Sequence, residues 1–209
     1  MNSANEAPFR PLTIHRLNDP ARYQKPYYLK TNRVDAYASG LEVMTDLNFV
    51  PAAAIGLDAD LAHASQMMIA RGVRLLLVVD SDHYVLGLLT ARDVMGDRCT
   101  QIAEQLNIEQ NEVAVRDIMT PVSSIQVLEL VDVVHARVGD IIETLRHSSR
   151  QHAIVIDREP PDDKLIIRGI FSASQIARQL GVTQVEADLE HTFEQIDTAI
   201  RVSTRATPV

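Results

Sequence analysis

One short pattern occurs twice in this chain, and the repetition limits the folds that the chain can adopt. Residues 87–93 read Gly-Leu-Leu-Thr-Ala-Arg-Asp, and residues 169–175 read Gly-Ile-Phe-Ser-Ala-Ser-Gln. Each copy follows an apolar segment that ends in Asp, at Asp80 and at Asp157, and each copy leads into a helical pattern. A repeated strand–turn–strand–helix unit predicts two similar modules that pack on each other. The copies differ most where Asp93 corresponds to Gln175, so we look for function at this position.

The composition is that of a globular protein and disfavours several classes of partner. Of the 209 residues, 46% are apolar and 23% are charged, and the formal net charge is −8. This charge disfavours nucleic acids and anionic membranes as partners, because both bind to basic surfaces. No apolar stretch approaches the ~20 residues that cross a bilayer, and residues 1–8 lack the features of a secretory signal. The single cysteine, Cys99, has no internal disulfide partner. We therefore expect a cytoplasmic protein.

Hydrophobic periodicity predicts the same order of elements in both halves. Residues 59–71 place Leu61, Ala64 and Met68 on one helical face, and Gly72 follows as a helix stop. The near-continuous apolar run at 73–79 indicates a strand covered on both faces. The first unit continues with a strand at 84–89 and a helix at 90–106. The second unit repeats the order with a helix at 139–147, strands at 153–156 and 165–171, and a helix at 173–180.

The two ends of the chain do not belong to the repeat. Residues 1–40 contain four prolines within 8–26 and are predicted to be extended, with a strand near 27–29. Residues 184–201 are predicted to form a last helix with an apolar face that includes Leu189 and Phe193. This face must pack on the body of the protein or on another subunit. The predicted domains are 1–40, 41–112, 113–183, and a helix and tail at 184–209.

Each half resembles a CBS domain, the regulatory module named after cystathionine β-synthase. The resemblance rests on Val-Met-Thr at 43–45, Asp-Ile-Met-Thr-Pro at 117–121, the strand at 73–80 and the Gly-x-x-Thr-x-x-Asp turn at 87–93. It covers residues 41–182 and implies an α+β fold of tandem CBS domains, each a strand–helix–strand–strand–helix unit, with pseudo-two-fold symmetry (a Bateman module). Many such pairs bind AMP, ADP, ATP or S-adenosylmethionine between the halves, and many dimerise into flat discs.

The chain also departs from the family pattern. Leu77 and Ile154 stand where a Pro is common, and Ser149 stands where a Gly is expected. The Asp that binds ribose in such domains is present as Asp93 but is replaced by Gln175 in the second copy. The resemblance therefore implies a nucleotide site at the first copy, with Asp93 on the ribose. Thr90-x-x-Asp93 also fits a helix capping box, which explains both residues without a ligand. Ser172-x-x-Gln175 also fits a capping box, and for Gln175 capping alone is favoured.

The predicted phosphate contacts lie at helix and strand starts. Thr90, Arg92 and Ser172 begin helices, where free amides and the helix dipole favour an anion. Arg74 and His152 open strands, and His152 would contribute more when protonated. Each of these residues has a plain alternative as a solvated or ion-paired side chain. Because few basic residues converge in sequence, AMP is favoured over ATP. Weaker candidates are Ser149 and Arg150 for phosphate, and 44–45, 119–120, Leu88 and Ile170 for adenine.

Other chemistries lack a sequence signature. The seven histidines show no metal-site spacing with the single cysteine. The chain has no nucleophile elbow, no Walker-type glycine loop and no dinucleotide fingerprint, and Gly87 and Gly169 are interpreted as turn glycines. We therefore expect neither an enzyme nor an obligatory cofactor.

Two hypotheses follow for function. The first is a regulatory, homodimeric CBS-pair protein that binds an adenine nucleotide and signals its level to an unidentified partner protein. The second is a ligand-free dimerisation scaffold, in which Leu189 and Phe193 of the last helix lie at the interface between subunits.

Overall fold

The structure is a computed structural model, and it describes residues 33–183 and 189–205. The strand predicted near 27–29 and the first residues of the last predicted helix lie outside the described residues. None of the helices in the described ranges has the length and apolar character required to span a lipid bilayer.

The described chain is an α+β fold, as predicted. Its strands are β1 (Thr45–Asp46), β2 (Ala54–Gly56), β3 (Leu75–Val79), β4 (Val85–Thr90), β5 (Thr120–Pro121), β6 (Val127–Glu129), β7 (His152–Glu159) and β8 (Lys164–Ser172). Its helices are α1 (Leu61–Arg71), α2 (Ala91–Met95), α3 (Arg98–Leu106), α4 (Val115–Ile118), α5 (Leu130–Val133), α6 (Val138–His147), α7 (Ala173–Gln179) and α8 (Leu189–Arg205). Short 3₁₀ turns cover Gly40–Val43, Gln110–Glu112 and Val122–Ser124. The single helix predicted at 90–106 is two helices, because Gly96 ends α2 and Asp97 begins α3.

Two four-stranded sheets form the centre of the molecule, and each borrows a strand from the other half. The strand orders are β2-β3-β4-β5 and β1-β8-β7-β6. β1 belongs to the first unit by sequence but pairs antiparallel with β8, with Thr45 opposite Ile170. β5 begins the second unit but pairs antiparallel with β4, with Thr120 opposite Leu88. The two halves therefore exchange strands in a symmetrical way. The domain boundary near 112 stays a prediction.

Gly87 and Gly169 are the positions where the borrowed strands approach most closely. Both lie inside strands, on β4 and on β8, so their interpretation as turn glycines was wrong. A Cβ atom at Gly87 would lie 2.6 Å from the carbonyl oxygen of Thr120 and 2.8 Å from the sulfur of Met119. A Cβ atom at Gly169 would collide with the side chain of Met44. The glycines of the repeat are required because the Met-Thr pairs that begin each unit pack directly on them.

Three apolar clusters hold the structure together. One lies in the first half under α1, α3 and α4, and one lies in the second half under α6, α7 and α8. A third cluster lies between the two sheets and joins Leu75, Leu77 and Leu88 to Ile154. Leu77 and Ile154 are 4% and 2% exposed. These two departures from the family pattern therefore supply apolar contact between the halves.

The C-terminal helix packs on the second half. Phe193 is 8% exposed and Ile196 is fully buried, and both belong to the apolar cluster of the second half. Leu189 is partly buried against the same cluster. The guanidinium of Arg146 on α6 lies 2.6 Å from a carboxylate oxygen of Asp197 and 5.4 Å from the centre of the Phe193 ring. Phe193 therefore serves this chain's own core, which contradicts its proposed place at a subunit interface, whereas that place stays a prediction for the partly buried Leu189.

Candidate functional site

A cavity of about 300 Å³ lies where the two halves meet, and we call it the inter-half cavity. One wall of the cavity consists of β1 and the loop after it. A second wall consists of the end of α1 and the start of β3, and residues of β7, β8 and α7 form the rest. The lining residues are Thr45, Leu47, Val50 to Ala53, Arg71 to Leu75, His152, Ile170, Ser172, Ser174, Gln175 and Arg178.

The lining of the inter-half cavity is basic. Arg71 and Arg74 come from the first half, and Arg178 comes from the second. No aspartate or glutamate is among the described residues of the lining. None of the three guanidinium groups forms an ion pair with a described carboxylate. A chain of net charge −8 thus concentrates three uncompensated positive charges at one cavity, which favours an anionic ligand there.

His152 contributes to this cavity as a neutral side chain. Burial, and secondarily the positive charge of Arg74, lower the pKa of His152 from 6.5 to about 4. At neutral pH the imidazole is therefore uncharged and offers one N–H donor and one acceptor. The role expected for a protonated His152 does not apply at this pH.

Gln175 is held by the strand that the first unit lends to the second sheet. Its Oε1 atom accepts a hydrogen bond of 3.1 Å from the hydroxyl of Thr45 on β1. Ser172 makes no side-chain cap to α7, and its hydroxyl instead lies 3.0 Å from that of Ser174. The capping expected for Ser172 and Gln175 was therefore wrong. The β1–β8 pairing explains this, because it brings Thr45 beside the start of α7.

Asp93, in contrast, is fully engaged at the start of α2. Its Oδ2 atom accepts hydrogen bonds from the amide of Thr90 at 2.9 Å and from the hydroxyl of Thr90 at 2.6 Å. The hydroxyl of Thr90 in turn accepts from the Asp93 amide at 3.3 Å, so the capping box is present. The Oδ1 atom accepts from a guanidinium nitrogen of Arg98 at 2.8 Å. Asp93 is 9% exposed, and both of its carboxylate oxygens already accept hydrogen bonds.

The structure thus divides the six predicted site residues into three groups. Arg74, His152 and Ser172 line the inter-half cavity, whereas Thr90 and Asp93 form the capping box and are not among its described lining. Arg92 is exposed and lines a separate groove of about 650 Å³ between α1 and α2, which also reaches Arg74. The weaker phosphate candidates Ser149 and Arg150 are exposed and lie outside the described lining of either cavity.

The weaker adenine candidates divide in the same way. Thr45 and Ile170 line the inter-half cavity. Met44 and Met119 pack against the strand glycines, and Leu88 belongs to the cluster between the sheets. The apolar lining of the cavity also includes Leu47, the loop at 50–53, Val73 and Leu75.

Sequence reasoning missed Arg71 and Arg178. Arg71 is the last residue of α1, where a basic side chain is expected to complement the helix dipole. Arg178 lies three residues after Gln175 on α7, so the two share a helical face. That spacing was the one available signal. Across the described part of the chain, no group of three or more His, Cys, Asp or Glu side chains could hold a metal ion.

Comparisons with known proteins agree with this architecture. Residues 41–97 match the family model of the CBS domain. A conserved protein from Pyrococcus horikoshii has a similar solved structure, with 19% identity, a TM-score of 0.51, and coverage of 74% of this chain and 100% of that one. No curated protein matches the chain.

Two further solved structures are also similar. CBSX2, solved in complex with AMP and known from Arabidopsis thaliana, has 20% identity, a TM-score of 0.47, and coverage of 68% of this chain and 94% of that one. A CBS-domain containing protein from Agrobacterium tumefaciens has 18% identity, a TM-score of 0.47, and coverage of 64% and 88%. The family match identifies a CBS domain at residues 41–97, and the second half repeats the same order of elements and exchanges a strand with the first.

Proposed function

We propose that this chain is a regulatory protein that binds an adenine nucleotide in the inter-half cavity and reports its presence to a partner protein. The observation that carries the proposal is the convergence of Arg71, Arg74 and Arg178 on one cavity without an acidic residue in its described lining. Guanidinium groups bind phosphate oxygens bidentately, so such a lining suits a phosphate-bearing ligand.

The remaining lining suits the rest of a nucleotide. The apolar wall formed by Leu47 and the loop at 50–53 offers a surface for the adenine ring. The hydroxyls of Ser172 and Ser174 and the neutral imidazole of His152 offer hydrogen bonds to phosphate oxygens. A mostly apolar wall with a few polar groups is the usual character of small-molecule sites.

The position of the cavity suggests how binding becomes a signal. Its walls come from both halves, so a ligand there contacts both and favours the arrangement that brings them together. A partner that recognises this arrangement would bind more or less tightly when the ligand is present, and the coupling would act equally in both directions.

A thermal-shift panel tests the proposal. At about 100 times its dissociation constant, a ligand stabilises the folded state by about 2.7 kcal/mol, which raises the melting temperature of a chain of this size by roughly 5–10 °C. We expect such a shift with at least one of AMP, ADP, ATP and S-adenosylmethionine. Arg178→Gln should reduce the shift, whereas the control Arg201→Gln, at an exposed arginine on α8, should not. No shift with any of the four would contradict the proposal.

The same panel locates the site. A ligand in the inter-half cavity should still bind after Asp93→Asn, because Asp93 is not among the described lining. Loss of binding in a folded Asp93→Asn variant would instead place the nucleotide at the first copy, where the family pattern puts the ribose. The melting temperature of each variant without ligand reports whether it folds.

Homodimerisation without a ligand is the second candidate function. Ile69 on α1 and Met95 on α2 are 80% and 77% exposed, and both line the groove between these helices. Exposed apolar side chains that lie together often mark an interface between proteins. Sedimentation of wild type, Ile69→Asp and Met95→Asp tests it. A dimer that both variants dissociate, with no thermal shift from any nucleotide, would support this function over the first.

A further inference from the structure

The inter-half cavity lacks the group that ordinarily recognises a free ribose. Neighbouring ribose hydroxyls are usually bound by an Asp or Glu carboxylate, whereas an arginine at that place accommodates a phosphate on the sugar. In the second copy the residue that corresponds to Asp93 is Gln175, a neutral amide whose oxygen already accepts a hydrogen bond from the hydroxyl of Thr45. No carboxylate is present elsewhere in the described lining to take over this role.

The charge of the lining points to a ligand with more than one phosphate. Arg74 is partly buried, while Arg71 and Arg178 are exposed. The cavity, at about 300 Å³, is at the small end of ligand sites, which run from roughly 300 to 1,000 Å³. A nucleoside with one phosphate at Arg74 would fill it, and further phosphates would extend to the exposed guanidinium groups of Arg71 and Arg178.

His152 does not compete for this role at neutral pH. Because its pKa is lowered to about 4, the imidazole adds no charge to the cavity. The positive charge of the described lining therefore comes from the three arginines, of which Arg71 and Arg178 are exposed.

We propose that the inter-half cavity selects its nucleotide by phosphate charge and not by the ribose hydroxyls. The ligand class is then a nucleotide with two or more phosphate groups, and its 2′-deoxy form binds as well as its ribose form. This inference rests on the proposed function, since it concerns the same cavity and the same class of ligand.

Titration calorimetry with AMP, ATP and 2′-deoxy-ATP tests the inference, in buffer without Mg²⁺ so that the phosphate charge is not masked. Because the additional phosphates of ATP gain charge-assisted hydrogen bonds, ATP should bind at least about tenfold more tightly than AMP. ATP and 2′-deoxy-ATP should bind within about twofold of each other, since no charge-assisted bond is lost. AMP binding as tightly as ATP would overturn the inference, and so would a deoxy form about tenfold weaker.

Two variants separate the contributions of charge and sugar. Gln175→Asp introduces the missing carboxylate, so it should create a preference for ATP over 2′-deoxy-ATP of about tenfold. It should also narrow the preference for ATP over AMP, because the new negative charge lies in the same lining. Gln105→Asp, the same change at an exposed position on α3, should leave all three affinities unaltered.

Arg178→Gln should lower the affinity for ATP by more than it lowers the affinity for AMP, because Arg178 is assigned to the outer phosphates. The inference would be contradicted if Arg178→Gln lowered the affinities for AMP and ATP equally. It would also be contradicted if Gln175→Asp bound ATP no more tightly than 2′-deoxy-ATP. These outcomes differ from failure of the proposed function, in which the wild type binds none of the three nucleotides.

Discussion

The missing side chain at Gly87 leaves room for the strand that the second half contributes to the first sheet. The nearest backbone atom, the carbonyl oxygen of Thr120, would lie 2.6 Å from a Cβ atom there, and backbone cannot move aside as a side-chain tip can. Gly56, at the end of β2, has no atom within 4 Å of its own Cβ position. Comparing a Gly→Ala substitution at Gly87 with one at Gly56 therefore tests whether the close packing of β5 on β4 requires a glycine at position 87.

Gly87→Ala should lower the free energy of unfolding by about 1–3 kcal/mol, the usual cost of overpacking a buried site. Gly56→Ala should change it little, because the added methyl group meets open space. Urea unfolding of both variants provides the measurement. Equal effects of the two substitutions would show that the β4–β5 contact does not limit the residue at 87.

His152 makes the stability of the fold depend on pH. Its pKa is lowered from 6.5 to about 4 by burial and by Arg74, so the folded state favours the neutral imidazole. A group with a lowered basic pKa contributes its full stability above pH 6.5 and loses it as the pH falls from 6.5 towards 4. Arg71 and Arg178 line the same cavity.

The wild type should lose about 2 kcal/mol of stability through this group between pH 7.5 and pH 5. His152→Leu should remove that part of the loss, and Leu75 already occupies the equivalent place at the start of β3. Urea unfolding at the two pH values gives the loss of unfolding free energy for the variant and for the wild type. Because both proteins have the same carboxylates, the difference between the two losses reports the contribution of His152. His63→Leu, at an exposed position on α1, is the control and should keep the loss of the wild type. An unchanged loss in His152→Leu would contradict the assignment.

Among the elements, α8 is the one whose role the sequence left open. Its apolar face lies on the core of the second half, with Ile196 fully buried, while Val202 on the same helix is 64% exposed. An ion pair between Arg146 and Asp197 joins α8 to α6. The helix is therefore part of the folded body and not a free arm.

Ile196→Ala should lower the free energy of unfolding by about 2–5 kcal/mol, because it opens a cavity in a core that has little freedom to collapse. Val202→Ala should change it by less than about 0.5 kcal/mol. Thermal and urea unfolding compare the two. If the variants were equally stable, the packing of α8 on the second half would contribute nothing to folding.

Elements with a long apolar pattern were predictable from the sequence. The periodicity at 59–71 and at 139–147 located α1 and α6, and the apolar runs located β3, β4, β7 and β8. The two- and three-residue strands β1, β2, β5 and β6 were not identified as elements, because segments so short carry no periodicity. Their pairing is also non-local, so the exchange of strands between the halves could not be derived from either half alone.

The candidate site was predictable only in part for the same reason. Arg74, His152 and Ser172 were singled out from their places at element starts, and all three line the inter-half cavity. Arg71 and Arg178 reach it because α1 and α7 come from different halves, which no local pattern records. The ion pair that occupies Asp93 joins it to Arg98 across the break between α2 and α3, where the sequence suggested one continuous helix.

At the scale of the whole molecule, the exchanged strands and the shared core couple the two halves. β1 completes the second sheet and β5 completes the first, so neither sheet keeps its full set of strands if the other half unfolds. The cluster of Leu75, Leu77, Leu88 and Ile154 would also be exposed to water by such a step. Partial unfolding therefore loses contacts in both halves.

We expect the described halves to unfold in one cooperative transition for this reason. Leu76 in the first core and Leu145 in the second are both fully buried, and Leu→Ala at either should lower the free energy of unfolding by about 2–5 kcal/mol. If the halves were independent, Leu76→Ala would produce two unfolding transitions. The first half would unfold at a lower urea concentration, and the second half would unfold at the same concentration as in the wild type. Circular dichroism during urea unfolding, with hydrogen exchange followed separately in 54–119 and 127–180, distinguishes the two cases. If each variant shifts one transition in which both halves unfold together, the halves are coupled. A ligand bound at one face of the inter-half cavity would then stabilise residues throughout both halves.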